Sequence, residues 1–125
     1  MIELREYIDP KGKNHYRNWL VSLDAATRAR IIASLLRMAS GNFSAARSVG
    51  SGVSEMRLDF GPGYRVYFGK DGARLVILLA GGSKRRQQAD IAVAHKLWTV
   101  YKSRKSGELD AADQKLSGDD SRTTG

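Results

Sequence analysis

VSEMRLDFGPGYRVYFGKDGARLVILLAGGSK, residues 53–84, is the stretch that decides the fold. Its first strand alternates, with Met56, Leu58 and Phe60 on one face and Glu55, Arg57 and Asp59 on the other. Residues 64–68 alternate likewise, Tyr64, Val66 and Phe68 against Arg65 and Tyr67. A hairpin closed over Gly61-Pro62-Gly63 predicts Phe60 opposite Tyr64, Asp59 opposite Arg65, Leu58 opposite Val66 and Arg57 opposite Tyr67. That register gathers both polar sets on one face, off the core, and leaves the other face apolar. Lys70-Asp71-Gly72 marks a second tight turn, Asp-Gly being a favoured hairpin dipeptide. Leu75–Ala80 is apolar at every position and reads as a strand buried on both faces, near the middle of the sheet.

Upstream, Met1–Ile8 alternates as a strand and Asp9-Pro10-Lys11-Gly12 is a turn. A helix is predicted over 13–23, with Tyr16, Trp19, Leu20 and Leu23 at helical spacing. Asp24 is the expected N-cap of a second helix to Ala39, its buried stripe Ala25, Ala29, Ile32, Leu35, Leu36 and Ala39. So short a link predicts an antiparallel helix pair lying on the sheet's apolar face. Ser40–Gly52 reads as loop, anchored by Phe43 and Val49. Gly81-Gly82 reads as a turn leading into a last helix over 84–102, capped by Ser83. Ile91, Ala94, Trp98 and Tyr101 form its apolar stripe, widened by Val93, Leu97 and Val100. The fold class is α+β: a small antiparallel sheet, two N-terminal helices on one face and a C-terminal helix. Residues 1–102 form one domain, and 103–125 read as a disordered polar tail.

The 125 residues are 42% hydrophobic, enough for one small core. With no cysteine, there is neither a disulfide framework nor a thiolate zinc site. No apolar run approaches membrane-spanning length, and charges at Glu3, Arg5, Glu6 and Asp9 break any signal peptide, so a cytoplasmic protein with no membrane partner is expected. The net charge is +8; four basic against five acidic residues leave the tail at −1 and residues 1–102 at +9. Such a surplus favours a polyanionic partner, nucleic acid above all. His15 and His95 stand far apart without metal-ligand spacing and read as surface or packing residues, and no metal site is expected.

Arg57 and Arg65, diagonal neighbours on one face, and Lys84 at the end of the strand after Leu75 are placed to converge. Two guanidiniums and an ammonium around one point suit a phosphate, and suit better a phosphorane whose charge grows in the transition state. Against this stands a plain structural reading, in which Asp59 and Arg65 form a cross-strand ion pair on a solvated face.

GNFSAARSVGSGVSEMRLDFGPGYRVYF (41–68) and LLAGGSKRRQQADI (78–91) resemble the HigB-type addiction-module killer branch of the RelE/ParE toxin superfamily. The most specific pieces are GVSEMR, GPGYRVYF and Gly81-Gly82-Ser83-Lys84 followed by Gln87, Asp90 and Ile91. The resemblance covers residues 1–102. It implies a RelE-like fold and the toxin of a type II toxin–antitoxin pair, neutralised by a helix-turn-helix antitoxin and meeting operator DNA only through that complex. It also implies a ribosome-dependent endoribonuclease, an mRNA interferase that works without metal or cofactor. The messenger's own 2′-OH attacks the adjacent phosphate in the ribosomal A site.

Carried over residue by residue, Arg57 and Arg65 bind the scissile phosphate, and Lys84 is general base or third phosphate ligand. Tyr67 stacks on a base or orients the 2′-OH, a common aromatic role on unpaired RNA. Asp90 is structural, while Lys11, Lys13, Arg85 and Arg86 belong to the RNA-binding surface. Ser83 stands where relatives often carry Asp, and Arg85-Arg86 replaces small hydroxyl residues. No histidine lies on the sheet face, so proton transfer falls to Lys84, Tyr67, Glu55 or the ribosome. Two other functions use the same fold: a ParE-like gyrase inhibitor, and a non-catalytic co-repressor acting with its antitoxin.

Overall fold

The alternation of the central hairpin fixes the layers. In the computed structural model, which describes residues 1–124 with side-chain surroundings through Gly107, the elements run β1 (Glu3–Glu6), α1 (His15–Val21), α2 (Ala25–Ala39), β2 (Ala46–Ser48), β3 (Val53–Leu58), β4 (Tyr64–Asp71), β5 (Leu75–Ser83), a 3₁₀ turn (Lys84–Arg86) and α3 (Gln87–Thr124). The five strands form one sheet in the order β1-β5-β4-β3-β2. All neighbours are antiparallel except β1, which pairs parallel with β5. The expected all-antiparallel sheet is therefore mixed. The α1–α2 pair is the crossover that returns the chain to lay β2 and β3 at the far edge.

The apolar face is as predicted. Met56, Leu58, Val66, Phe68, Val76 and Leu78 are buried against Tyr16, Leu20, Ile31, Leu35 and Met38 of α1 and α2, with Phe43 packed at the margin. Asp24 caps α2 through its carboxylate, which accepts the Thr27 backbone N–H at 3.1 Å. The buried stripe of α2 is nevertheless rotated from the one predicted. Ile31, Leu35, Met38 and Ala39 face the sheet, whereas Ile32 and Leu36 are exposed. Hydrophobicity at 31, 32, 35 and 36 suits either of two adjacent faces, and only the docking angle chooses.

The hairpin register departs from the prediction by two residues. Arg57 pairs with Arg65, Leu58 with Tyr64, Met56 with Val66 and Glu55 with Tyr67. The chain leaves the ladder after Leu58, and residues 59–63 form a longer connection with Gly61 and Gly63 at φ +54° and +75°. Within it, the Gly63 N–H donates to the Phe60 carbonyl at 3.0 Å. A two-residue slip keeps every side chain on its predicted face, which is why the layers survive it. Short β2, unread in the sequence, pairs with β3 and places Arg47 opposite Glu55.

The other face is not open. α3 lies across it, burying Ala94, Leu97 and Trp98 against Val53, Tyr67, Ile77, Leu79 and Ala80, with Ile91, Tyr101 and Val49 at the margin. Val93 and Val100 are exposed, so the stripe is narrower than the sequence suggests. Gly81 and Gly82 are strand residues rather than a turn. A Cβ on Gly81 would meet the Trp19 ring at 2.1 Å, and one on Gly82 the Asp90 carboxylate at 1.9 Å. They are sites of close approach from opposite faces. Ser83 precedes the 3₁₀ turn but makes no side-chain cap, and the α-helix starts at Gln87.

α3 continues past Lys102, and Lys105 reaches the Asp71 carboxylate at 2.5 Å. The rest of the tail reading, from residue 108, lies outside the residues described with side chains. Among the described residues no helix is long and apolar enough to cross a membrane.

Candidate active site

Three neighbouring strands bring the sequence candidates into one row. β3 supplies Arg57, β4 supplies Arg65 directly opposite it, and β5 supplies Gly82 opposite Arg65. Because direct partners point the same way, both guanidiniums rise from one face. Two residues beyond Gly82, the backbone N–H of Lys84 donates to the Gly63 carbonyl at 2.9 Å. Arg65 Nη1 donates to that same carbonyl at 2.8 Å. The Gly63 turn thus gathers Arg65 and the start of the 3₁₀ turn. A Cβ at Gly63 would stand 3.4 Å from Lys84 Cβ and 3.5 Å from Arg65 Nη1, a gap that glycine keeps open.

Two like charges directly opposite on a sheet repel, and each arginine is balanced by a different carboxylate. Arg57 reaches Asp59 at 3.4 Å, both side chains being exposed, at 43% and 82%. Arg65 is only 5% exposed and lies over Glu55, with Nε 3.6 Å from Oε2. The expected Asp59–Arg65 pair does not form, because the register slip moves Asp59 off the ladder. Nor does Arg65 face solvent: its side chain is buried, with Nη1 on the Gly63 carbonyl and Nε over Glu55.

Glu55 is the hub beneath the row. It is fully buried and accepts from Arg47 Nε at 2.6 Å and from Gln87 Nε2 at 3.1 Å. One carboxylate therefore ties β2, β3, β4 and the first turn of α3 together. Buried charges persist only when paired and hydrogen-bonded, and Glu55 has both kinds of partner. Sequence reasoning placed Glu55 on the polar face without seeing this role. Its partners Arg47 and Gln87 are 8 and 32 residues away.

Tyr67 is fully buried between the sheet and α3, so no ring face is available for stacking on a base. Its hydroxyl has no hydrogen-bond partner among the described residues. Burial, with the negative charges of Glu55 and Asp90 adding to it, pushes its phenol well above the ordinary tyrosine range. Tyr67 is a core residue beneath the row rather than a contact on it. Burial likewise raises the Asp90 carboxyl, partly offset by Arg86. Asp90 packs on Gly82, in keeping with a structural role.

Lys84, Arg85 and Arg86 are all exposed. Lys11 and Lys13, also exposed, sit in the turn after β1, where both backbone N–H groups donate to Asp9 Oδ1 at 2.9 and 2.8 Å. Since β1 runs parallel to β5, that turn leaves the sheet at the end where β5 delivers Lys84. His15 and His95 are local tethers, to Asp9 at 3.3 Å and to the Val49 carbonyl at 3.0 Å.

Residues 18–99, which run from within α1 to within α3, match the family model described as phage-derived protein Gp49-like (DUF891). The chain belongs to the Gp49-like family. It is a family of toxin–antitoxin toxins related to the RelE-like toxins, which implies an antitoxin partner. An uncharacterized protein of Haemophilus influenzae is 42% identical over 83 residues, covering 66% of this chain and 84% of that protein. No solved structure matches. The Gp49-like match contains the whole row of Arg57, Arg65 and Lys84 and its hub Glu55, so the site lies within the part that defines the family.

Proposed function

We propose that this chain is a HigB-like toxin that cleaves messenger RNA in the ribosomal A site. The observation that carries the reading is Arg57 directly opposite Arg65, with Arg65 and the backbone of Lys84 both on the Gly63 carbonyl, on a strongly basic domain. The 2′-oxygen of one nucleotide attacks the adjacent phosphorus, the P–O5′ bond breaks, and a 2′,3′-cyclic phosphate and a 5′-hydroxyl remain. Charge grows on the non-bridging oxygens in between. Exposed Arg57 and Lys84 meet those oxygens, while buried Arg65 adds its charge from beneath, where the lower dielectric strengthens it. Lys84 is the exposed group of the set that, as the neutral amine, can take the 2′-proton. The ammonium so formed meets the oxygens and returns a proton to the departing 5′-oxygen, while Glu55 is engaged with its partners and Tyr67 is buried. Lys11, Lys13, Arg85 and Arg86 contact the RNA backbone around the cut. The antitoxin is a helix-turn-helix protein, and the setting is the cytoplasm, where messenger and ribosomes are.

The test is to map new RNA 5′ ends minutes after induction without antitoxin, in wild type and in Arg57→Ala and Lys84→Ala. Both residues are exposed, so these variants keep the fold more safely than a change at Arg65. New ends confined to translated frames, falling by about a hundredfold or more in either variant, are expected. Intact messages in an arrested culture would refute the reading and point to a protein target such as gyrase.

A further inference from the structure

Behind the catalytic row lies a second basic feature that the sequence did not disclose. Where β2 begins, the edge of β3 and α2 line a cleft of about 470 Å³. Arg30 and Arg37, two turns apart on α2, line one wall, and Arg57, Asp59 and Phe60 line the other. The Arg30 guanidinium lies 3.6 Å from the centre of the Phe60 ring. Arg37 Nη2 donates to Ser34 Oγ at 2.8 Å. Asp59 is the acidic residue lining the cleft, and it pairs with Arg57, so among the described residues Arg30 and Arg37 line the cleft without a carboxylate partner.

We infer that this cleft holds the single-stranded RNA flanking the scissile phosphate. The inference rests on the nuclease reading of the row, and three observations support it. Arg57 links the two features: it lines the cleft at the edge of β3 and pairs across the strands with Arg65, so a strand bound at the row reaches the cleft by turning around that edge. The spare positive charge is carried by guanidiniums, which grip phosphate in a planar, two-point manner that lysine does not provide. The Arg30–Phe60 stack offers a flat, cationic surface of the kind that unpaired bases stack on. An acidic segment of a protein partner would use the arginines but not the stack, and it would not need continuity with the row.

The experiment measures binding of a fluorescein-labelled 12-nucleotide RNA, 2′-O-methylated throughout so that the attacking hydroxyl is blocked. Anisotropy titrations at several salt concentrations compare wild type, Arg30→Gln/Arg37→Gln, and Lys96→Gln/Lys102→Gln. The last pair removes the same charge from exposed positions on α3. The cleft variant is expected to bind at least about tenfold more weakly, with the slope of log K against log salt reduced by about 1.4 for two lost phosphate contacts. The α3 variant should stay within about threefold of wild type. Equal losses in the two variants would overturn the inference, leaving only a general charge effect. So would wild type that fails to bind at low salt, or a cleft variant that loses antitoxin but keeps RNA. If messages stay intact in cells arrested by the wild type while the cleft variant still loses RNA in the titration, the nuclease reading fails and the RNA cleft stands.

Discussion

Glu55→Gln is the sharpest test of how the row is held. The substitution keeps the shape and removes one buried charge. Arg65 Nε lies 3.6 Å from Glu55 Oε2, and at an effective dielectric constant of about 20 a unit-charge pair at that distance is worth about 4.6 kcal/mol. Arg47 adds little, because its side chain is 56% exposed and such pairs contribute at most about 1 kcal/mol. The bond from Gln87 falls from charge-assisted to neutral, a loss of about 1 kcal/mol. Arg65, which stays buried, regains little hydration to offset this, so the expected loss is about 3–5 kcal/mol, as for other buried pairs cut on one side. For a domain of this size the melting temperature should fall by at least about 12 °C. Urea denaturation and thermal melts followed by far-UV circular dichroism measure both quantities, with Asp59→Asn, whose side chain is 82% exposed, as the control. A Glu55→Gln variant within about 0.5 kcal/mol of wild type would refute the claim that this carboxylate compensates Arg65.

Gly81→Ala should destabilise by about 1–3 kcal/mol, because its Cβ would stand 2.1 Å from the Trp19 ring; Trp19→Leu in the same chain should recover part of the loss, and no recovery in urea midpoints would show that the strain lies elsewhere. Asp90 predicts a pH effect of unusual sign. Its carboxyl is raised by burial in the folded state, so its contribution to stability is intact at acid pH and is lost as pH climbs from 3.8, its ordinary value, through the raised one. Asp90→Asn should therefore raise the urea midpoint more at about pH 7 than at about pH 4, and equal changes at the two would contradict the burial argument.

Much of the site was legible in the sequence because it follows from local pattern. Alternation put Arg57 and Arg65 on one face of one hairpin, and the run Leu75–Ala80 made β5 a central strand that delivers Lys84 to the same end. Glu55 was legible as a position but not as a hub, because Arg47 comes from a three-residue strand without a period of its own and Gln87 from a helix start beyond the sheet. Tyr67 was misjudged because an aromatic residue among charges reads the same whether solvent or a helix covers it.

The sequence by itself determined which side chains share a face, where α2 begins and which layer the two N-terminal helices cover, since these depend on periods of two and 3.6 residues and on one capping carboxylate. Only the tertiary structure decided the rest. The register of Arg57 against Arg65 hangs on how residues 59–63 turn, which alternation cannot distinguish from a slip of two. The parallel seat of β1, the cover that α3 lays over Tyr67, and the cleft between α2 and β3 all depend on contacts between residues far apart in the chain. Such contacts are chosen by how whole faces fit together, and no window of neighbouring residues carries that information.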